Sequence, residues 1–164
     1  MSEKQIILNH EDIQLLIKRL SLEIAENHVN GKPVCLVGLN ERGYFIANEI
    51  FNNLKDILPN QTIETIQMSV SNDQLKLTNE IDNIRDVTIV IVDDVVNSGY
   101  TAMKTVAYFF ENGCNQIETA FLAQREHLNF PILANYVGLS IATTLKDHVY
   151  FDNSNSQQIQ IYLA

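Results

Sequence analysis

A hydrophobic segment that ends in two adjacent carboxylates constrains this chain more than any other feature of its sequence. From Val87 to Val92 polar and apolar residues do not alternate, which predicts a strand buried on both faces, as the strands of parallel α/β sheets are. Asp93 and Asp94 follow at the predicted carboxyl end of that strand. Ligands of open α/β sheets bind just beyond the carboxyl ends of the strands, so both acids are predicted to face a ligand.

The residues after the two acids predict an anion site. Asn97, Ser98, Gly99 and Thr101 are small or carry hydroxyl groups. The helix predicted to start at Thr101 would direct its positive dipole end and its backbone N–H groups at an anion such as a phosphate. Carboxylates would repel a phosphate and would instead accept hydrogen bonds from sugar hydroxyls. The pattern therefore favours a sugar phosphate; the alternative is that the acids cap the turn and the loop residues cap the helix.

This segment resembles the phosphoribosyl pyrophosphate signature of type I phosphoribosyltransferases, in which an acid-Asp pair and three variable residues precede Ser or Thr, Gly, any residue, and Ser or Thr. Neither the Gly-Lys-Ser/Thr of a Walker loop nor a G-x-G-x-x-G motif is present. The resemblance implies catalytic roles for Asp93 and Asp94. It also implies a substrate-binding 5′-phosphate loop made of Val95, Val96, Asn97, Ser98, Gly99, Tyr100 and Thr101.

Two further segments are similar to the same family. Val34 to Gly43 resembles the strand and short loop that bind pyrophosphate, which implies a pyrophosphate loop of Asn40, Glu41, Arg42 and Gly43. Leu122 to Thr144 is similar to a branch whose members are uracil phosphoribosyltransferases and attenuators of pyrimidine operons, which implies a candidate base pocket at Arg125 and His127. Without the resemblance, both arginines would be interpreted as surface charges and the histidine as a hydrogen-bonded side chain.

The order of predicted elements indicates an α/β protein. We expect a Rossmann-type fold similar to that of type I phosphoribosyltransferases, with a central, mostly parallel sheet flanked by helices and a small C-terminal hood, in one domain spanning residues 1–164. Asn9 is predicted to cap the first helix, which ends near Asn30-Gly31, and Ser71 to Arg85 is predicted to be a long loop or a hairpin. The other helices are expected at about 43–58 and 101–112, and the strands at 34–39, 62–70, 87–92, 117–123, 136–139, 148–151 and 159–163, of which the last two could pair as a hairpin.

Charge and composition argue against several classes of protein. The net charge of −9, from 20 acidic and 11 basic residues, argues against a broad surface for nucleic acid. Cys35 and Cys114 are too few for a disulfide framework and are predicted to be free thiols, and the four histidines lack ligand spacing for a transition metal. The apolar runs are shorter than a membrane span and the N-terminus is polar, so a cytoplasmic protein without membrane contact is expected.

The function implied by the resemblance is a phosphoribosyltransferase, a pentosyl-transferring glycosyltransferase of nucleotide salvage and pyrimidine metabolism. It would join phosphoribosyl pyrophosphate to a nucleobase, uracil or another, and release pyrophosphate. The expected cofactor is Mg²⁺ carried by the phosphates of the ligand, with no metal site formed by the protein alone. The resemblance also implies a homodimer or larger homo-oligomer.

Two alternatives to catalysis stay open at the level of sequence. Family members carry Arg or Lys in a loop that closes over the pyrophosphate, whereas Met68 to Gln74 contains no cation and Lys76 is the nearest one. Glu41 adds a negative charge to the pyrophosphate loop. Both features favour weak activity or a non-catalytic sensor of phosphoribosyl pyrophosphate or a nucleotide. The other alternative is an RNA-binding attenuator, which would need a local basic patch on an acidic protein.

Overall fold

The strands and helices of the computed structural model, which describes residues 4–29, 31–142 and 148–164, form an α/β fold. The helices are α1 (His10–Asn27), α2 (Asn40–Ile57) and α3 (Tyr100–Glu111). The strands are β1 (Gln5–Leu8), β2 (Val34–Leu39), β3 (Ile63–Ser71), β4 (Gln74–Leu77), β5 (Thr88–Val96), β6 (Gln116–Arg125), β7 (Tyr136–Ile141), β8 (Val149–Asp152) and β9 (Gln160–Leu163). No described helix is long and apolar enough to cross a membrane.

Six strands form the central sheet in the order β4-β3-β2-β5-β6-β7. Neighbouring strands pair in parallel except β3 and β4, which form an antiparallel hairpin. Every residue of β2 and the first five residues of β5 are buried, because helices cover both faces of the sheet. The mostly parallel sheet predicted from the sequence is confirmed. Of the two structures considered for Ser71 to Arg85, the hairpin is the one observed in its N-terminal part.

The helices are divided between the two faces of this sheet. Ile17 of α1 and Ile50 of α2 pack with Val90 of β5 in one hydrophobic cluster. Phe109 of α3 packs with Ile89 of the same strand in a second cluster on the other face. Burial of these apolar stripes provides most of the stability of such helices.

The three helices begin in different ways. Asn9 caps α1 as predicted: its side chain accepts a hydrogen bond from the Asp12 backbone N–H, and the Asp12 side chain accepts one from the Asn9 N–H. Helix α2 begins at Asn40, three residues earlier than predicted, and α3 begins at Tyr100. Neither α2 nor α3 has a side-chain cap at its N-terminus. Because α2 follows β2 and α3 follows β5, both uncapped termini lie at the carboxyl edge of the sheet.

A second sheet, of order β1-β9-β8, forms the hood. Strands β8 and β9 form the antiparallel hairpin that the sequence predicted, but β1 pairs with β9. The predicted C-terminal hood thus also includes an N-terminal strand, which the sequence did not indicate because a short strand whose partner is distant in the chain leaves no local signal. Asn30 and residues 143–147, which include the predicted end of the first helix and the last residues of the segment similar to the family, lie outside the described residues.

Candidate functional site

Asp93 and Asp94 lie inside β5, whereas the sequence predicted them just after the strand. The strand runs to Val96, and its pairing with β6 continues to that residue. A strand ending at Val92 was the wrong prediction because backbone hydrogen bonds define the strand, and polar residues can continue them as well as apolar ones. Both acids still lie within the last four residues of β5, at the edge where α2 and α3 begin.

The carboxyl group of Asp93 is desolvated and lies beside a second acid. Burial, and then the charge of Asp94, raise the pKa of Asp93 well above the usual carboxyl value. Its Oδ1 accepts a hydrogen bond from the Asp94 backbone N–H at 2.9 Å. Gly43 allows this packing, because a Cβ at that position would lie 2.6 Å from the Val92 carbonyl oxygen and 3.3 Å from Asp93 Oδ1. A side chain at position 43 would therefore clash with the β5 backbone at Val92 and shift the strand that carries the acid.

The predicted 5′-phosphate loop encloses a small cavity at the N-terminus of α3. The cavity measures about 150 Å³ and is lined by Asp93 and residues 95–102. Gly99, which precedes the helix, has a φ of +83°, a conformation that residues with side chains rarely adopt. The first turn of α3 thus presents backbone N–H groups and a positive dipole end without a side-chain cap. This part of the sequence prediction agrees with the geometry of an anion site.

Two contacts attach the loop to neighbouring segments. The backbone N–H groups of Asn129 and Phe130 donate to Ser98 O at 2.9 and 3.0 Å. Asn97 Nδ2 donates to Val149 O in the hood at 3.4 Å, and Asn97 Oδ1 is buried without a hydrogen-bond partner among the described residues. An unpaired buried acceptor costs about 1–3 kcal/mol. A hydrogen-bond donor on a ligand would relieve that cost.

A larger cleft adjoins the loop on the side of α2. Arg42 Nη1 lies 3.9 Å from Asp94 Oδ2, and the Arg42 side chain is 53% exposed, so this ion pair is loose. Residues 40–43 form the first turn of α2, and the prediction of a short loop there is wrong because β2 runs directly into the helix. Glu41 faces the same space as Arg42. The cleft measures about 460 Å³ and is lined by Leu39, Asn40, Glu41, Arg42, Asp93, Asp94 and Thr101.

Arg125 and His127, the candidates for a base pocket, lie at and just after the carboxyl end of β6. Arg125 is the last residue of β6, and His127 is exposed in the segment that follows. Neither residue lines the 150 Å³ cavity or the 460 Å³ cleft. Because β6 is the parallel neighbour of β5, Arg125 reaches the same edge of the sheet as the acid pair. The structure therefore brings together the acids, the loop and Arg42. Arg125 and His127 lie outside the lining of both cavities.

Two residues that the sequence analysis did not select contact the phosphate loop from the β3–β4 hairpin and α3. Asp73, at the tip of the hairpin, accepts a hydrogen bond from Tyr100 Oη at 2.7 Å. Lys104 Nζ lies 3.1 Å from Asp73 Oδ1. Asn72 and Asp73 both have positive φ, which these residue types tolerate in two-residue hairpin turns. The Asn-Asp pair was therefore an available signal for the turn, although not for its partner on α3.

Comparisons with known proteins show the family and the fold of the chain. The family model described as "Phosphoribosyl transferase domain" matches residues 4–153. "Bifunctional protein PyrR" of Clostridium kluyveri is 32% identical over 155 residues, which cover 88% of this chain and 87% of that protein. The same-named protein of Leuconostoc citreum is 31% identical, covering 91% of this chain and 90% of its own. The crystal structure of the hypoxanthine phosphoribosyltransferase of Trypanosoma cruzi is similar with a TM-score of 0.76 at 18% identity, covering 96% and 95% of the two chains, which shows the shared fold.

Proposed function

The chain belongs to the phosphoribosyltransferase family, and on that premise we propose that it transfers the ribose 5-phosphate of phosphoribosyl pyrophosphate to a nucleobase, uracil or another, with release of pyrophosphate. One observation carries the proposal. An acid pair of which Asp93 is desolvated, two helix N-termini without an N-cap side-chain hydrogen bond and an exposed arginine surround two adjoining cavities. Each of these groups matches one part of that substrate.

The acid pair and the loop would hold the two ends of the ribose phosphate. Asp93 and Asp94 accept hydrogen bonds from sugar hydroxyls, and these donors offset the desolvation that raises the pKa of Asp93. The 5′-phosphate lies on backbone N–H groups between Asn97 and Thr101, with the hydroxyls of Ser98 and Thr101 as further donors. The N-cap residue Gly99 has no side chain, and Ser98 Oγ accepts only the Tyr100 N–H, so the N–H groups of Thr101 and Ala102 in the first turn of α3 are available to the phosphate.

Transfer breaks the bond between the anomeric carbon and the pyrophosphate, which leaves with the bonding electrons, while a ring nitrogen of the base bonds to that carbon and gives up its proton to water. The positive charge that develops on the sugar is stabilised by the carboxylates of β5. Arg42 exchanges its loose contact with Asp94 for the departing pyrophosphate at the start of α2. We assign Arg125 and His127 to the base because both lie at the carboxyl edge of the sheet. A base held in position makes the reaction effectively unimolecular.

The carboxylates that line the cleft are suited to a Mg²⁺ ion that is also bound by the phosphates of the substrate. Asp93 and Asp94 line the cleft with two carboxylates. Within the described ranges, no three His, Cys, Asp or Glu side chains are grouped so that they could hold a metal ion by themselves. Mg²⁺ commonly combines one or two carboxylates with substrate phosphates and water. When bound, it would neutralise charge on the leaving group.

Pyrophosphate release tests the proposal. The protein is supplied with phosphoribosyl pyrophosphate, Mg²⁺ and, one at a time, uracil, hypoxanthine, guanine, adenine, xanthine and orotate. Turnover that disappears in the Asp93→Asn/Asp94→Asn variant supports the proposal and identifies the base. Asp82→Asn/Asp86→Asn is the matched control, since both acids are exposed and line neither cavity. Absence of turnover with every base would contradict the transferase, and turnover retained without the acids would contradict their roles.

A non-catalytic sensor of phosphoribosyl pyrophosphate or a nucleotide is the second candidate. The distribution of charge favours it: Glu41 lines the cleft, and residues 68–74, where family members carry a cation in the closing loop, contain none. One preorganised charge-stabilising donor typically contributes about 10²-fold or more to a rate. The sensor predicts a rise in melting temperature with phosphoribosyl pyrophosphate and no product with any base. Measurable nucleotide formation would exclude it.

A further inference from the structure

The tip of the β3–β4 hairpin is attached to the helix that follows the phosphate loop. Asp73 Oδ1 accepts a hydrogen bond from Tyr100 Oη at 2.7 Å and lies 3.1 Å from Lys104 Nζ. Lys104 Nζ also donates to the backbone oxygen of Asp73 at 2.7 Å and lies 5.6 Å from the centre of the Tyr100 ring. The hydrogen bonds from Tyr100 and Lys104 lower the pKa of Asp73. We name Asp73, Tyr100 and Lys104 the latch.

The turn and the packing of the hairpin both favour this attachment. Asn72 and Asp73 have φ values of +45° and +63°, which is the backbone of a tight two-residue hairpin turn. Leu75 and Leu77 of β4 pack against the hydrophobic cluster that contains Phe109 of α3. The hairpin is therefore fixed along β4 by apolar contacts and at its tip by the latch. A cavity of about 360 Å³ separates these contacts and is lined by Asp73, Leu75, Lys104, Ala107, Tyr108 and Glu111.

Tyr100 belongs to both the latch and the phosphate loop. It is the first residue of α3 and lines the 150 Å³ cavity. Its backbone N–H donates to Ser98 Oγ at 3.2 Å. Its ring lies 5.4 Å from the ring of Phe130, whose own N–H donates to Ser98 O. A movement of the Tyr100 side chain therefore changes contacts on both sides of the loop.

We propose that the latch positions the 5′-phosphate loop, so that the β3–β4 hairpin and phosphate binding are energetically coupled. The inference rests on the proposed function, because it takes this loop to be the phosphate site. Asp73 holds the hydroxyl of Tyr100, and through it the first turn of α3, in the orientation in which the loop surrounds the cavity. Asp73 and Lys104 are positioning residues and contact no substrate. Since coupling between two sites is reciprocal, a phosphate that orders the loop also strengthens the attachment of the hairpin.

The exposure of the latch makes this coupling moderate and reversible. The side chains of Asp73 and Lys104 are 71% and 26% exposed, and ion pairs in water contribute little to stability. Segments held by few buried contacts open locally more often than the core does. We therefore expect effects of about fivefold, at the lower end of the usual range for coupled sites.

Hydrogen exchange of the ligand-free protein tests whether the latch exists. Tyr100→Phe removes the hydroxyl and keeps the ring, and Asp73→Asn removes the charge and keeps a residue that tolerates positive φ. In each variant the backbone amides of residues 71–76 should exchange about fivefold faster than in the wild type. Asp82→Asn, at an exposed acid beyond the hairpin, is the control and should leave them unchanged. Equal exchange in the wild type and both latch variants would overturn the latch.

Ligand binding tests the coupling. By calorimetry with Mg²⁺ present, both latch variants should bind phosphoribosyl pyrophosphate about fivefold more weakly than the wild type. The ligand should slow exchange of residues 71–76 in the wild type and not in Tyr100→Phe. In steady-state kinetics, the KM for phosphoribosyl pyrophosphate should rise while kcat stays constant, which is the signature of lost ground-state binding.

Two outcomes separate a failure of this inference from a failure of the proposed function. Equal affinity in the wild type and the latch variants, with no effect of ligand on the hairpin, would overturn the coupling and leave the proposed function intact. A wild-type protein that binds no phosphoribosyl pyrophosphate would overturn the proposed function and the coupling with it. The ligand-free exchange measurement would in that case still decide whether the latch holds the hairpin.

Discussion

Two partly buried acids on neighbouring strands have opposite surroundings. Asp93 lies near the carboxyl end of β5, and Glu118 near the amino end of β6. Burial, then the charge of Asp94, raise the pKa of Asp93 well above its usual value. At Glu118 burial also acts to raise the pKa, but hydrogen bonds from its neighbours outweigh burial and lower it.

The neighbours of Glu118 come from its own strand and from two other parts of the chain. His28, which is 4% exposed, lies with its Nε2 2.9 Å from Glu118 Oε2, and Tyr136 Oη donates to the same oxygen at 2.9 Å. Gln116 Nε2 donates to Oε1 at 3.0 Å. Asn27 in turn donates to Tyr136 Oη. Glu118 is thus provided with donors by the protein itself.

The difference in hydrogen bonding between Asp93 and Glu118 indicates different roles for the two edges of the sheet. A buried acid that serves only stability is expected to be fully hydrogen-bonded, because an unpaired one is costly. An acid that binds the hydroxyls of a ligand receives fewer hydrogen bonds from the protein, and its pKa is raised in the ligand-free state. The acid at the carboxyl edge therefore lowers the stability of the fold, whereas the acid at the amino edge raises it. Substitutions of the two acids should have opposite effects on the free energy of unfolding.

The largest expected effect is on activity at the carboxyl edge. Asp93→Asn/Asp94→Asn should lower the rate of pyrophosphate release by about 10²-fold or more, because the charge that stabilises the sugar in the transition state is removed. The fold should persist, as measured by circular dichroism. Glu118→Gln, at the other edge, should keep the rate per folded molecule; a comparable loss there would break the comparison.

The next largest effect is on stability at the amino edge. Glu118→Gln should lower the free energy of unfolding by about 2 kcal/mol at pH 7, because buried donors lose a charged acceptor. The lowered pKa means that this contribution is present above the usual carboxyl pKa and is lost as the pH falls through the lowered one. Urea unfolding at pH 7 and below pH 4 measures the difference, with exposed Glu80→Gln as the control. An equal difference at both pH values would contradict the role of the ionised acid.

A smaller loss is expected when one donor of Glu118 is removed. Tyr136→Phe deletes the hydroxyl that donates to Glu118 at 2.9 Å and should lower the free energy of unfolding by about 1 kcal/mol. Burial raises the pKa of Tyr136 to about 12, so the hydroxyl stays protonated throughout the neutral range. In a double-variant cycle with Glu118→Gln, the loss of stability in the double variant should be smaller than the sum of the two single losses. Strict additivity would show that the residues act independently.

The smallest expected effect is a gain of stability. Asp93→Asn should raise the free energy of unfolding by about 0.5–1 kcal/mol at pH 7, because it removes a carboxyl group whose ionised form is disfavoured in the fold by burial and by Asp94. The raised pKa gives the opposite pH dependence to that of Glu118: the wild type loses stability as the pH rises through the raised value. The gain should therefore vanish in acid. A destabilised variant at pH 7 would mean that Asp93 supports the fold.

The parts of the site that could be predicted from the sequence are contiguous in the chain. The acids, the loop and the start of α3 occupy residues 93–101, so local pattern alone places them together. Arg42 comes from a second segment, and the parallel pairing of β2 with β5 brings its Nη1 within 3.9 Å of Asp94. Strands β2 and β5 are parallel neighbours and each is followed by a helix, so the residues at their carboxyl ends lie close together.

The features that could not be predicted depend on partners far apart in the chain. Asp73 contacts a residue 27 positions later, and Glu118 contacts His28, 90 positions earlier. A local sequence pattern indicates which secondary structure a residue favours, but it does not indicate which distant residue its side chain contacts. The early start of α2 has the same origin: Asn40 has a φ of +53°, and its Oδ1 accepts a hydrogen bond from Val70 N at 2.8 Å, a tertiary contact at the junction of β2 and α2.

The pairing of β1 with β9 determines when each part of the molecule can be completed during synthesis. On the ribosome, β2, β3 and β5, with the acids of β5, are made well before β9, whereas β1 has to wait for that strand. Pairings of such long range form slowly. A nascent chain would therefore have its acid-bearing edge before the hood that contacts Asn97 is in place. A ligand that binds this edge would stabilise the growing chain before the hood is complete, by an amount that rises with the logarithm of the ligand concentration above its dissociation constant.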